Sequence, residues 1–141
     1  MRHQAGQDAR RKVAAPFVLL DRSGAIVGFH TLSAYSLRVE ELPEALAKKL
    51  PRYPLLPATL LGRLAISAER RRQNLGRLLL MDALCRSWKN TAEIASIGVV
   101  VEAWDDSARA FYQHHEFLPL PDHRSKLFLP MGTIEKVFRV L

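Results

Sequence analysis

The chain has 141 residues, of which 48% are hydrophobic and 25% charged, with a formal net charge of +7 and a pI near 10.1. This composition is typical of a one-domain globular protein with a real core. We expect a cytoplasmic protein because no stretch is long and apolar enough for a membrane span or a signal peptide. The single cysteine excludes an internal disulfide framework, and no Cys/His spacing predicts a metal site. The arginine-rich positive charge favours polyanionic partners, either nucleic acid or a nucleotide cofactor.

The first half of the chain predicts a β-hairpin and a short helix. Apolar strands at 16–20 and 25–29 flank Asp21-Arg-Ser-Gly24, whose residue types are typical of a turn. The second strand is expected to continue to Tyr35 with polar side chains at alternate positions. Residues 42–50 predict a short helix, which a proline-containing linker follows. Residues 4–12 are interpreted as the end of a helix.

The second half predicts strands and helices in alternation. An apolar strand at 60–66 leads through an arginine-rich turn into a helix, whose predicted apolar stripe is formed by Leu78, Met81, Cys85 and Trp88 and is widened by Leu80 and Leu84. Residues 94–101 are almost continuously apolar, which indicates a central strand covered on both faces. Asp105 or Asp106 is expected to cap the next helix. A strand at 126–129 and a closing strand or helix at 132–141 complete the prediction.

The turn after the strand at 62–66 carries arginines at positions 70, 71, 72 and 77, around the start of a helix. The first backbone N–H groups of a helix have no acceptor within the helix, and they lie at the positive end of its dipole. A phosphate placed there accepts several hydrogen bonds at once. The pattern therefore indicates an anion site, although a basic surface turn that opens an amphipathic helix would have the same residues.

The spacing Arg71-x-x-Asn74-x-Gly76 resembles the pyrophosphate loop of the GNAT acetyltransferases, in which Gly is usual at the position of Asn74. Asparagine tolerates positive φ better than most residues with a side chain, so we expect the loop to form. A second stretch, 105–117, resembles the GNAT helix that carries a tyrosine beside the sulfur of acetyl-CoA. Tyr112 stands at that position, Asp105 stands where the family has Asn, and Glu116 replaces the usual Gly. Taken alone, Tyr112 is also typical of a core aromatic residue.

The order of elements over residues 4–138 resembles the toxin branch of this family, the TacT-like toxins of bacterial type II toxin–antitoxin systems. The resemblance implies an α+β fold (α/β, GNAT-like), in which a central mixed, mostly antiparallel twisted sheet is flanked by helices. It implies an acetyl-CoA-dependent N-acyltransferase that acetylates the α-amino group of aminoacyl-tRNA. A ribbon-helix-helix antitoxin is the implied protein partner, and a homodimer is left open.

The same resemblance implies the site residues. Tyr112 is the implied catalytic residue, as proton donor to the departing thiolate. The implied cofactor-binding residues are Leu64, Ala65, Ile66, Arg71, Arg72, Gln73, Asn74, Leu75, Gly76, Arg77, Asp105 and Ala108. The amine would attack the thioester directly, so Cys85 has no role, and His114 and His115 are expected to face solvent or to pack. A general base is unnecessary because an α-amino group has a reference pKa of about 7.7–8.0, against about 10.4 for lysine.

Two other functions stay open at this point. One is a GNAT enzyme that acts on a small amine or peptide. The other is an inactive member that binds only CoA or a partner protein, an alternative raised by the start of the chain and by Asn74 and Glu116. Family members usually begin with a further strand and helices ahead of the hairpin, so we expect either an N-terminally shortened member or a mis-set start. Such a chain would have a bare edge strand.

Overall fold

The fold is built on one six-stranded sheet in a computed structural model that describes residues 12–70 and 74–139. The strand order is β1-β2-β3-β4-β6-β5, and neighbouring strands are antiparallel except for the parallel pair β3 and β4. The strands are Ala15–Leu20 (β1), Ile26–Leu37 (β2), Leu56–Ile66 (β3), Gly98–Glu102 (β4), Leu118–Pro119 (β5) and Lys126–Pro130 (β6). The predicted mixed, mostly antiparallel sheet is confirmed.

In the described ranges, four α-helices flank the sheet: Glu44–Ala47 (α1), Leu75–Asn90 (α2), Asp106–His114 (α3) and Met131–Arg139 (α4). Short 3-10 turns at Val39–Glu41 and Ala68–Arg70 precede α1 and α2. The segment after β6 is thus a helix, which the sequence left undecided between helix and strand. None of the helices in the described ranges has the length and apolarity needed to cross a membrane.

The apolar core lies on both faces of the sheet. Alternate residues of β4 point to opposite sides, and Val99, Val100 and Val101 are completely buried, which confirms the predicted central strand. On one face Val99 and Val101 pack with residues of α2, α3 and α4. On the other face Val100 packs with residues of β2, β3 and the segment around α1. The helix that carries Tyr112 and the helix after the arginine-rich turn therefore share one core.

The predicted hairpin turn is confirmed, and it anchors the segment that leads to α2. The Asp21 carboxylate accepts hydrogen bonds from the backbone N–H groups of Ser23 and Ala25, at 2.8 and 3.0 Å. Gly24 has φ +88°, which favours glycine. The second carboxylate oxygen of Asp21 binds the Arg70 guanidinium at 3.1 Å. Arg70 is thus ion-paired with the hairpin and fixes the 3-10 turn before α2.

Two predicted elements were misplaced. The stripe predicted on α2 was wrong at Leu78, which is 52% exposed, because the buried side is centred on Leu80, Ala83 and Leu84. Leucine occupies three consecutive positions here, so the sequence pattern fits more than one rotation of the helix. The strand predicted at 94–101 begins at Gly98 instead, and Ile94 is 66% exposed. The chain turns after α2 because the N–H groups of residues 93 and 94 both bond the Asn90 carbonyl.

The helix predicted at 4–12 lies outside the described residues, except for Lys12, which sits in a turn with φ 57°.

A buried histidine couples β2 to α2. His30 is completely buried, and its Nε2 donates to an Asp82 carboxylate oxygen at 2.8 Å. The same oxygen accepts from Arg86 Nε at 2.8 Å, and the Phe17 ring stacks on the imidazole with 5.1 Å between centroids. The other imidazole nitrogen, Nδ1, has no hydrogen-bond partner among the described residues. Burial lowers the pKa of His30 despite the opposing pull of Asp82, so the imidazole is neutral at neutral pH.

Candidate active site

The start of α2 has the backbone geometry that a close-packed loop needs. Asn74 directly precedes the helix with φ 56° and ψ 23°, in the left-handed region. Glu116, two residues after the end of α3, has φ 71°. These are the two positions at which glycine is usual in the family pattern. The expectation that Asn74 can adopt positive φ is confirmed, and the same backbone region is occupied at Glu116.

A cleft of about 560 Å³ opens at this helix start. Its lining comes from the end of β3, the first turn of α2 and the second half of α3: Ile66, Asn74, Gly76, Arg77, Phe111, His114 and His115. The first turn of α2 contains no acidic residue, and Arg77 is exposed at the rim. Burial, together with the charges of His114 and Arg77, lowers the pKa of His115. The electrostatics of the cleft favour an anion.

Gly76 leaves room in the wall of this cleft. A Cβ atom placed on Gly76 would lie 3.7 Å from the Phe111 ring, which is an ordinary contact distance. The protein's own packing therefore does not require glycine there. A group that approaches the helix backbone closely would require it, and a diphosphate that binds backbone N–H groups is such a group.

The sheet opens next to the cleft. Strands β3 and β4 pair only at three positions, from Thr59 opposite Val99 to Leu61 opposite Val101, within the described residues. Beyond that point β3 continues to Ile66 and pairs with β2 through Leu64, Ala65 and Ile66. The edge of this segment that faces β4 therefore pairs with no strand in the described part of the chain. An extended arm with amide groups fits along such an edge.

Tyr112 lies in the core beside the cleft. It is buried, and its ring contacts Phe111 and Phe117 edge to face at centroid distances of 5.2 and 5.3 Å. Burial raises the pKa of Tyr112 to about 12. The hydroxyl is therefore protonated at neutral pH, as a hydrogen-bond donor must be.

The structure brings only part of the predicted cofactor set together. Ile66, Asn74, Gly76 and Arg77 line one cleft, Leu64 and Ala65 continue the strand that leads to it, and Leu75 follows Asn74 in the helix. Asp105 caps α3, since its side chain accepts a hydrogen bond from the Ala108 N–H at 2.7 Å. The predictions at Arg71, Arg72 and Gln73 fall outside the described residues.

Sequence reasoning missed two features of the site. His115 stacks edge to face on Phe111 at 5.0 Å, as a packing residue was expected to do, but it also lines the cleft with His114. The sequence feature that could have placed His115 at the cleft is its helical spacing from Phe111. The second feature is a groove of about 630 Å³ at the start of α3, lined by Ala103, Trp104, Asp105, Asp106, Arg109, Arg124 and Ser125. Its two walls are far apart in sequence, so no local pattern predicts it.

Comparison with known proteins places this geometry in context, although no family model matches the chain. The chain is 34% identical over 110 residues to a tRNA-acetylating toxin of Mycobacterium tuberculosis (strain ATCC 25618 / H37Rv), covering 78% of this chain and 65% of that protein. It is 29% identical over 133 residues to a probable toxin TacT of Sinorhizobium fredii (strain NBRC 101917 / NGR234), covering 86% and 71%. The chain thus spans slightly less than two thirds of the first relative.

Solved structures share the fold. AtaT complexed with acetyl-methionyl-tRNAfMet superposes with a TM-score of 0.88 at 28% identity, covering 97% of this chain and 82% of that one. A tyrosine-to-phenylalanine variant of AtaT, bound to the C-terminus of the antitoxin AtaR and to acetyl-CoA, gives a TM-score of 0.77 at 25% identity, covering 94% and 77%.

Proposed function

We propose that this chain is an N-acetyltransferase of the GNAT type that transfers an acetyl group from acetyl-CoA to the α-amino group of aminoacyl-tRNA. The observation that carries the proposal is the cleft at the start of α2, where a left-handed Asn74 and a bare Gly76 expose helix N–H groups beside Arg77. The similarity to a tRNA-acetylating toxin and to AtaT supports the choice of acceptor.

The described residues fit the proposed cofactor. The N–H groups of Leu75, Gly76 and Arg77 are available to the diphosphate because the first turn of a helix lacks internal acceptors. The free edge of β3 at Leu64–Ile66 would hold the amides of the extended arm. Asp105 and Ala108, in the first turn of α3, are added by the family resemblance. Arg71, Arg72 and Gln73 belong to the same proposal through the family pattern. Acetyl-CoA supplies the activated acetyl group.

Tyr112 is the proposed catalytic residue, and its hydroxyl would act as a hydrogen-bond donor. A thiol has a reference pKa of about 8.5, which is below the value of about 12 for the Tyr112 hydroxyl. Complete proton transfer from this phenol to a thiolate is therefore uphill. Tyr112 would instead donate a hydrogen bond to the departing sulfur and keep its own proton, and the proton that the attacking amine releases would end on the thiolate or in solvent.

The acceptor amine needs little help to lose its proton. An α-amino group with a reference pKa of about 7.7–8.0 is partly neutral near pH 7, whereas a lysine amine is not. The net charge of +7 suits an RNA that carries this amine. A tRNA acceptor also implies a cytoplasmic enzyme.

Protein partners belong to the same proposal. Its support is the AtaT structure with the C-terminus of the antitoxin AtaR. By the family resemblance the antitoxin would be of the ribbon-helix-helix type, and the chain would form a homodimer.

The test uses acetyl-CoA labelled in the acetyl group, with charged tRNA, deacylated tRNA and free amino acids in parallel reactions. We expect label in the charged tRNA alone. Incorporation that proceeds equally well with free amino acids or peptides would assign the chain to small-amine acetylation instead. A protein that binds acetyl-CoA and acetylates none of these acceptors would be an inactive member.

A further inference from the structure

We propose that the groove at the start of α3 binds the 3′-terminal nucleoside of the aminoacyl-tRNA, with the base stacked on the Trp104 indole. The groove is the one lined by Ala103, Trp104, Asp105, Asp106, Arg109, Arg124 and Ser125, and we call it the Trp104 groove. This inference rests on the proposed function and names the part of the site that holds the acceptor.

The walls of the Trp104 groove are fixed by hydrogen bonds. The Ala103 N–H donates to the Ser125 carbonyl at 2.6 Å, which joins the end of β4 to the start of β6. The Arg109 guanidinium, on α3, donates to the Arg124 carbonyl in the same loop. The groove therefore lies between two elements whose relative position is set, as a preformed ligand site requires.

Trp104 is presented to solvent from a rigid backbone. Its side chain is 80% exposed, whereas Trp88 packs against Phe138 at 5.9 Å between ring centroids. The flanking residues are both held, because Ala103 is buried and Asp105 caps α3. An indole so placed offers a whole face to a ligand at little cost in side-chain freedom.

The charges in the groove favour a nucleoside over a polyphosphate. Asp105 and Asp106 offset the charges of Arg109 and Arg124, so the groove lacks the excess of cations that the cleft at α2 has. Carboxylates accept hydrogen bonds from ribose hydroxyls and exocyclic amines, and guanidinium groups donate to ring nitrogens and to a single phosphate. Unpaired RNA ends are recognised in this way, with bases stacked on aromatic side chains.

The position of the groove suits the reaction. The cofactor cleft borders the second half of α3 through Phe111, His114 and His115, and the Trp104 groove borders its first half through Asp106 and Arg109. Tyr112, which would face the sulfur, follows Asp106 by six residues on the same helix, roughly 9 Å along the helix axis at 1.5 Å per residue. A terminal nucleoside held in the groove would bring the amino acid esterified to it near the acetyl group.

The test is a double-mutant cycle that combines substitution of Trp104 with removal of the 3′-terminal nucleotide of the tRNA. Binding of deacylated tRNA, intact or lacking its 3′-terminal nucleotide, is measured for the wild type, Trp104→Ala and Trp104→Phe. Base–aromatic stacking of ~1–3 kcal/mol corresponds to about 5- to 150-fold in Kd. We expect Trp104→Ala to raise the Kd for intact tRNA by such a factor. Its Kd for the shortened tRNA should equal that of the wild type. Trp104→Phe should retain most of the affinity for intact tRNA.

A matched control is Tyr53→Ala, which removes another exposed aromatic side chain, 62% exposed and outside the groove lining. It should leave both affinities unchanged. If removal of the nucleotide lowers the affinity equally in the wild type and in Trp104→Ala, the inference is overturned. The proposed acetylation of tRNA would not be affected by that result. A selective loss of acetyl-CoA affinity in Trp104→Ala would also overturn it, by assigning the groove to the cofactor. Failure of the wild type to bind any tRNA would overturn the inference and the proposed function together.

Discussion

Substitution of Gly76 separates a binding role from a structural role at the start of α2. A Cβ at this position meets only the Phe111 ring, at 3.7 Å, so Gly76→Val fits the folded chain. Glycine is about 1 kcal/mol less favourable than alanine in a helix and valine is intermediate, so we expect the free energy of unfolding to change by less than about 1 kcal/mol. Gly76 itself lines the cleft, so we expect the valine methyl groups to occupy part of it.

The expected loss of acetyl-CoA affinity in Gly76→Val can be estimated from the number of backbone N–H groups at the start of α2 that the valine methyl groups would cover. Each hydrogen bond to a charged group contributes roughly 1.5–3 kcal/mol, so losing two costs about 3–6 kcal/mol. The Kd for acetyl-CoA should then rise by at least about 100-fold. Isothermal titration calorimetry measures this directly, and urea unfolding of the same preparation measures stability.

Gly132 provides the matched control. It is the second residue of α4, as Gly76 is of α2, and a Cβ there meets no described atom within 4 Å. Gly132→Val should change stability as little as Gly76→Val does and should bind acetyl-CoA like the wild type. If Gly76→Val binds acetyl-CoA as tightly as Gly132→Val, the cleft at α2 is not the diphosphate site and the reasoning is refuted.

Three further predictions concern the catalytic residue, the buried histidine and the RNA. Tyr112→Phe keeps the ring contacts, so we expect unchanged stability and acetyl-CoA affinity but a turnover lowered ~10²-fold, the low end for loss of one hydrogen-bond donor to developing charge; an unchanged initial rate would make Tyr112 a core aromatic. Folding lowers the pKa of His30, so the free energy of unfolding should decrease as the pH falls below 6.5, by up to about 1.4 kcal/mol per pH unit. Urea titrations at pH 7.5 and 5.5 should show this decrease in the wild type and not in His30→Leu. Equal pH dependence in the two proteins would contradict the prediction. Affinity for tRNA should fall steeply with salt, and Arg124→Gln should reduce the slope of log Kd against log salt by about 1 if Arg124 contacts a phosphate; an unchanged slope excludes that contact.

Local chemistry made much of the fold predictable. The turn at Asp21 depends on side-chain hydrogen bonds within four residues, and the cap at Asp105 depends on a bond three residues away. Burial of Val99 to Val101 follows from an apolar run. The rotation of α2 could not be predicted because consecutive leucines satisfy several stripes, and the exposed Ile94 belongs to a turn despite its apolar character.

The site was predictable only where its residues are close in sequence. The loop at Asn74 and Gly76 has a recognisable spacing, and the positive φ of Asn74 agrees with the physical expectation for asparagine. The contact between His30 and Asp82 joins residues 52 positions apart, and the Trp104 groove depends on a bond between α3 and a loop 15 residues away. Such pairs depend on tertiary packing, which a single sequence does not reveal.

The most direct test of the proposed function is the chemical identity of the product. Charged tRNA is incubated with the protein and acetyl-CoA, the ester bond is hydrolysed in mild base, and the released amino acids are analysed by mass spectrometry. The account predicts N-acetyl amino acids that form only when protein, acetyl-CoA and charged tRNA are all present, and that are strongly reduced with Gly76→Val. Unmodified amino acids from every reaction, or acetyl groups that remain on the tRNA after hydrolysis, would contradict it.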